Sequence, residues 1–277
     1  MAPDEATVAP DEVAVTPDEV AVAPDEVAVA PDEVRLGFAR GDVVIVTGAA
    51  SGIGKATAIS AAAVGLRVAA WDLSRDGAKA TAAEIRDRGG DALGVGADVT
   101  DDGQVQAALD ASEASLGAAR YLVNNAGPSS AVDVPFEAGL LAGIGSVRRV
   151  TEAWLARTLP AGPAMVNVAS VAGNLIGTAP DWYPATKAAI MGYTRHLAAY
   201  SHDRVRANAV APGMTDTPRL AGFTVSEIGQ RVLHRIPAGR MARPDEIGWA
   251  ILFLLSPLAS YICGALLVVD GGWTVAQ

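Results

Sequence analysis

Residues 41–277 predict a single α/β domain built on a doubly wound parallel sheet, and three observations carry that prediction. Short apolar runs alternate with helical patterns along the whole stretch. The runs are apolar throughout rather than every second residue, as in strands covered on both faces. No linker-like composition divides the segment. Parallel strands joined in this way make right-handed crossovers.

Val43–Thr47 is a continuous apolar run ending in a glycine turn, and the alanine-rich Ile53–Val64 follows as a helix. Arg67–Trp71 is the next strand, Ala78–Arg88 a helix, Ala92–Ala97 a strand and Val105–Leu116 a helix. Tyr121–Asn124, Met165–Ala169 and Val205–Val210 supply three more strands, with helical sequence between them. From Ile247 to Val269 there is no charged residue over 23 positions, a length sufficient to span a membrane. Pro257 and Gly264 interrupt the run, however, and Ser256, Ser260 and Tyr261 cluster at the break. The segment therefore reads as a buried helix (about Asp245–Leu255), a turn and a buried strand (about Ala265–Val269).

The first 36 residues are a sevenfold-periodic repeat in five copies, from Ala2–Val8 to Ala30–Leu36. A proline in every copy excludes a continuous coiled-coil helix. Five prolines and ten like charges oppose packing, so an acidic, disordered arm is expected. An alternative places the start of translation near Arg35. The chain opens on Pro and acids, without the basic flank and apolar run of a secretory signal, which predicts a cytoplasmic protein.

The net charge of −10 belongs to that arm. Ten of the 31 acids lie in residues 1–34, which hold no Lys or Arg, so the remainder balances its 21 Lys and Arg. A body without basic surplus argues against nucleic-acid binding. Cys263 is the sole cysteine, which excludes an internal disulfide and a thiolate metal cage. His196, His202 and His234 are scattered, and no metal site is predicted.

Thr47-Gly48-Ala49-Ala50-Ser51-Gly52-Ile53-Gly54 lies between the first strand and the first helix. Glycines there permit a tight turn and let a pyrophosphate approach the N–H groups of the helix N-terminus. Gly48, Ser51, Gly52, Ile53 and Gly54 are thus candidate cofactor residues. The second strand ends at Asp72, 18 residues beyond Gly54, where a carboxylate accepts from an adenosine ribose diol and repels a 2′-phosphate. That favours NAD over NADP; the nearby Arg75 softens the preference. Asp98-Val99 ends the third strand and Asn124-Asn125-Ala126-Gly127 the fourth, both at the crevice where such sheets bind ligands. Asn124 also reads as a bridge between neighbouring strands.

Ser170 ends the fifth strand, and Tyr183 and Lys187 follow 13 and 17 residues later. Four residues apart on a predicted helix, Tyr183 and Lys187 project from one face. A free phenol titrates near pH 10, and an ammonium one turn away stabilises its phenolate. Ser170 supplies a hydrogen-bond donor for a substrate oxygen.

Together Thr47–Gly54, Asp98, Asn124–Gly127, Ser170, Tyr183, Lys187, Pro212-Gly213 and the ending Val268–Trp273 resemble the short-chain dehydrogenase/reductase family across nearly all of residues 41–277. The resemblance implies a Rossmann-type fold and an NAD-dependent oxidoreductase that interconverts a secondary alcohol and a ketone. In it Tyr183 is the general acid/base, Lys187 also binds the nicotinamide ribose, and Ser170 orients the substrate. Pro212, Gly213 and Thr215 hold the nicotinamide end, Asp98, Val99, Asn125, Ala126 and Gly127 line the cofactor, and residues 214–236 form a lid. It also implies a homodimer or homotetramer, with contacts through the helices flanking the site and the final strand.

Residues 128–166 contain no asparagine, although the family usually carries one there to support a water-mediated proton relay. The corresponding Leu141–Ser146 offers Gly143 or Ser146 instead. A second reading follows, a non-catalytic NAD-binding regulatory or scaffolding protein of the same fold. Trp182, Met191, Met214, Leu220 and Phe223 suggest an apolar pocket and lid, or else belong to the core, with sugar, steroid, acyl chain and small alcohol all open as substrates.

Overall fold

The computed structural model describes residues 36–276. Two units, Met1–Ala30 and Pro31–Gln277, make up the chain, and everything below concerns the second. The repeat of residues 1–36, expected to be disordered, lies outside the described residues except for Leu36, which packs partly buried against the core.

The first half runs β1 (Val43–Thr47), α1 (Gly52–Ala63), β2 (Arg67–Asp72), α2 (Arg75–Asp87), β3 (Ala92–Gly96), α3 (Asp102–Leu116) and β4 (Ala119–Asn124). Then come α4 (Phe136–Leu140), a π-helical turn (Leu141–Gly145), α5 (Ser146–Leu155), β5 (Ala164–Val168), α6 (Trp182–Tyr200) and β6 (Arg206–Pro212). The chain closes with α7 (Glu227–Leu233), α8 (Pro244–Leu255) and β7 (Leu266–Val269). All seven strands are parallel, in the order β3-β2-β1-β4-β5-β6-β7. This is the doubly wound Rossmann-type sheet the sequence predicts.

Strand starts and ends agree with the apolar runs to within two residues, but helices begin earlier than their apolar faces. Ser74 Oγ accepts from Gly77 N at 3.2 Å and starts α2 at Arg75, not Ala78. Asp101 Oδ1 accepts from Gln104 N at 2.8 Å and starts α3 at Asp102, not Val105. The apolar period marks the buried face, whereas a cap marks the end.

The core splits into two layers because successive strand residues point to opposite faces. Val44 and Val46 of β1 join residues of α1, α2 and α8 on one side. Val43 and Ile45 join α3, α5 and α6 on the other. The uncharged 247–269 segment is accounted for by α8, whose Ile247, Ile251, Leu252, Leu254 and Leu255 are buried in the first layer, and by β7. Arg206 of β6 donates to the Leu255 carbonyl at 2.8 Å and the Ser256 carbonyl at 3.0 Å, closing the end of α8 with a cation. No helix among the described residues is long and apolar enough to cross a membrane.

On the second side a polar chain braces the sheet. Asn124 Nδ2 donates to Thr151 Oγ1 (2.9 Å) and to Asn167 Oδ1 (3.0 Å), and Asn167 Nδ2 donates to Thr194 Oγ1 (2.9 Å). Asn124 and Asn167 are register partners on β4 and β5, so the bridging reading of Asn124 is the structural one. The strand order reverses between β1 and β4, and the crevice at the carboxyl ends there is the site.

Candidate active site

Glycines set the path of the loop after β1. Gly48 (φ +68°) and Gly52 (φ +53°) occupy the left-handed region, which glycine enters without a steric cost. Gly54 is needed for close approach: a Cβ there would sit 2.1 Å from the Gly48 carbonyl oxygen and 2.5 Å from Asn125 Nδ2. Asn125 ties the loop to β4, donating from Nδ2 to the carbonyls of Thr47 (2.9 Å) and Gly48 (3.1 Å). The Thr47 hydroxyl accepts from the N–H groups of Asn125 and Ala126, both at 3.0 Å. Ser51 precedes α1 without capping it, and the first turn holds no acid. The N-terminus of α1 therefore faces the crevice with a positive dipole end and no anion of its own.

Asp72 is held by two backbone donors. Its Oδ2 accepts from Ala50 N at 2.9 Å and its Oδ1 from Ser74 N at 2.8 Å. Arg75 packs across Gly96, where a Cβ would meet its Nε at 2.9 Å. At the end of β3, Asp98 Oδ1 accepts from Thr100 N (2.8 Å) and Thr100 Oγ1 (2.7 Å), and these bonds hold its carboxyl below the usual range.

The second cluster comes from the loop after β5 and the first turns of α6. Ser170 lies two residues past β5, 9% exposed, with its Oγ accepting from Ala172 N at 3.1 Å. Lys187 Nζ donates to the Val168 carbonyl at 2.8 Å and stands 5.7 Å from the centre of the Tyr183 ring. Protein packed around that ammonium strips its water and lowers its pKa to about 7, with the Arg219 charge adding to the effect. Asn174 ties the two pieces together, donating to the carbonyls of Ser170 (2.9 Å) and Lys187 (3.1 Å). At Gly173 (φ +79°) a Cβ would stand 2.0 Å from the Pro184 carbonyl oxygen, so this loop lies directly on α6.

Both clusters open on one cavity of about 670 Å³. Every candidate catalytic or cofactor residue from the sequence lines it except Gly54, which acts from behind by letting α1 approach the loop. Ala142, Ile176, Thr217, Arg219 and Trp273 line it too. Thr217 and Arg219 fall in the segment expected as a lid, Trp273 in the closing motif and Ala142 in the segment without an asparagine, whereas Ile176 carries no sequence mark and reaches the wall only through folding. Met214 and Leu220 belong to the wall as expected, but Trp182 and Met191 are 1% and 2% exposed and lie in the core instead. Both sit on the face of α6 turned into the protein.

The structure also rearranges the segment that lacks an asparagine. Ser146 is buried and its hydroxyl donates to the Gly143 carbonyl at 2.8 Å, which removes it as a substitute for the relay group. Gly143 abuts α6, a Cβ there falling 2.3 Å from Thr186 Cγ2. Ala142 is the residue of this segment that faces the cavity.

A family model described as enoyl-(acyl carrier protein) reductase matches residues 48–274. A cis-4-hydroxycyclohexanecarboxylate dehydrogenase of Sinomonas cyclohexanicum is 38% identical over 248 residues, 84% of this chain and 96% of that protein. The chain belongs to the short-chain dehydrogenase/reductase family. A D-threitol dehydrogenase of Mycolicibacterium smegmatis is similar to this short-chain dehydrogenase/reductase at 38% identity over 85% of the chain and 94% of the relative. Among solved structures, a 7α-hydroxysteroid dehydrogenase complexed with NADH and 7-oxo glycochenodeoxycholic acid superposes with a TM-score of 0.79. It is 31% identical, covering 87% of this chain and 96% of that one. Membership makes this short-chain dehydrogenase/reductase an oxidoreductase of alcohol and carbonyl groups that works with a nicotinamide cofactor.

Proposed function

We propose that this short-chain dehydrogenase/reductase interconverts a secondary alcohol and its ketone, prefers NAD, and uses Tyr183 as the general acid/base. The observation that carries the reading is Lys187, fixed on the Val168 carbonyl beside the Tyr183 ring in the cavity that Ser170 also lines. Gly48, Ser51, Gly52 and Ile53 fit a pyrophosphate, since the two left-handed glycines hold the loop where a Cβ would collide with Asn125 or press on Thr217, and no acid opposes an anion at α1. Asp72 fits a ribose diol, with Asp98, Val99, Ala126 and Gly127 continuing the wall towards Pro212, Gly213 and Thr215. Asp72 in the wall, and Arg75 drawn across Gly96, support NAD over NADP. When bound, NAD supplies the hydride acceptor, and NADH the donor.

In the oxidative direction Tyr183 Oη takes the proton of the substrate hydroxyl, and in reduction it returns one to the carbonyl oxygen. The Lys187 ammonium, 5.7 Å from the ring centre, lies where its charge offsets negative charge developing on the reacting oxygens. Ser170 Oγ accepts from Ala172 N–H, which leaves its own hydrogen to donate to the substrate oxygen.

Several relatives are named for alcohols, including a cyclohexanol dehydrogenase of an Acinetobacter strain, 35% identical. Cyclic and polyhydric secondary alcohols are therefore the first substrates to assay. Tyr183→Phe should abolish NADH formation from any of them and leave NADH binding within about twofold; turnover in that variant would refute the mechanism. We read the protein as a cytoplasmic homodimer or homotetramer. Exposed Tyr200 on α6 and Leu258 and Tyr261 ahead of β7 support the pairing, which light scattering measures.

A further inference from the structure

Arg219 is a cation in the cavity wall that none of the chemistry above uses. Four charged side chains line the cavity among the described residues: Asp72, Asp98, Lys187 and Arg219. The two acids stand at the ends of β2 and β3 and are held by backbone and Thr100 donors. Lys187 is fixed on Val168. Arg219 is exposed, sits in a single 3₁₀ turn, Pro218–Leu220, and makes one long bond of 3.5 Å from Nη2 to the Gly127 carbonyl. A guanidinium carries five N–H donors in a planar fork, so one weak bond to a neutral carbonyl leaves most of them to solvent and open to a bidentate oxyanion.

Its place along the cavity separates it from the pyrophosphate cradle. Thr217 covers that cradle, its Cγ2 lying 3.1 Å from where a Cβ on Gly52 would be. Arg219 is two residues further on, over Gly127 past the end of β4, and its charge is felt at Lys187 beside the reacting groups. Two cations thus share the catalytic end of the cavity, with Ala142, Ile176 and Leu220 as apolar wall between the polar groups. An anion on the far side of an apolar substrate body would satisfy the fork and relieve that repulsion.

We propose that Arg219 binds a carboxylate, or a like oxyanion, carried by the substrate away from its reacting hydroxyl. The substrate class is a hydroxy acid whose alcohol and acid are separated by an apolar spacer such as a ring. This inference rests on the alcohol-oxidation reading for the nature of the ligand, while its decisive test needs no turnover.

The probes are cyclohexanecarboxylate and cyclohexanecarboxamide, titrated calorimetrically into the enzyme saturated with NADH. The carboxylate should bind the wild type at least about tenfold more tightly than the amide. Arg219→Met should erase that preference, and Arg219→Lys should restore part of it. In turnover, the ratio of kcat/KM for 4-hydroxycyclohexanecarboxylate to that for cyclohexanol should fall about tenfold or more in Arg219→Met, chiefly through KM. Equal binding of acid and amide to the wild type would overturn the proposal, as would a preference that survives in Arg219→Met. So would a variant that loses NADH affinity while keeping the acid preference, which would give Arg219 to the cofactor. A preference for the acid in an enzyme that oxidises no alcohol would sustain this site and sink the alcohol reading alone.

Discussion

Asn125 and Gly48 are joined across the crevice: the amide of one donates to the carbonyl of the other at 3.1 Å, and Gly54 leaves the space in which they meet. A residue expected to touch the cofactor thus works on the loop that would hold it. Asn125→Ala should leave the fold intact and weaken NADH binding about tenfold, because the loop loses its tie to β4. Gly54→Ala is the harsher change, since its methyl has backbone on one side and Asn125 on the other. NADH fluorescence titration should show no measurable binding in that variant.

The Asn124–Asn167 pair predicts a different phenotype. Asn124→Ala leaves Asn167 Oδ1 without this donor in a buried layer and takes one of the bonds of the Thr151 hydroxyl, which still donates to the Val147 carbonyl, at a cost of about 1–3 kcal/mol. The urea midpoint should fall accordingly, while the folded fraction keeps its NADH affinity. A loss of NADH affinity without a loss of stability would place Asn124 in the cofactor site instead.

The proposed preference for NAD puts the choice between the two nicotinamide dinucleotides on Asp72. On that proposal Asp72→Ser removes the carboxylate that would repel a 2′-phosphate, so the kcat/KM ratio of NADP to NAD should rise by about tenfold or more. A modest drop in thermal midpoint should accompany it, because Ala50 and Ser74 lose an acceptor.

Glu246 gives a pH signature. Its carboxylate accepts from Arg240 through two 2.8 Å bonds and from Arg243 N at 2.7 Å, and the Arg240 bond above all holds its pKa near 2 against an ordinary 4.5. A depressed carboxyl adds stability that is complete above pH 4.5 and fades as pH falls towards 2. Glu246→Gln should therefore be less stable by about 1 kcal/mol at pH 7, the pair being partly exposed. The two proteins should converge below pH 4.5, as thermal melts across pH 2–7 will show.

The sheet was legible because strands buried on both sides are apolar at every position, as Val43–Thr47 shows. Tyr183 and Lys187 were legible because one helical turn fixes their relation, whatever the rest of the chain does. Asn174 and Arg219 were not, since each acquires its meaning from a contact made by folding: Asn174 with Lys187, Arg219 with Gly127. Trp182 stayed open between pocket and core for the same reason. A large apolar residue beside Tyr183 suits a pocket or a core equally well, and only the packing of Gly139 against its ring shows which.

The π-helical turn has a consequence for how this protein can change. At position 143 any side chain collides with Thr186, whereas position 142 opens on the cavity. A single replacement at Ala142 can therefore place an amide in the cavity wall with α6 untouched, whereas one at Gly143 requires Thr186 to give way first.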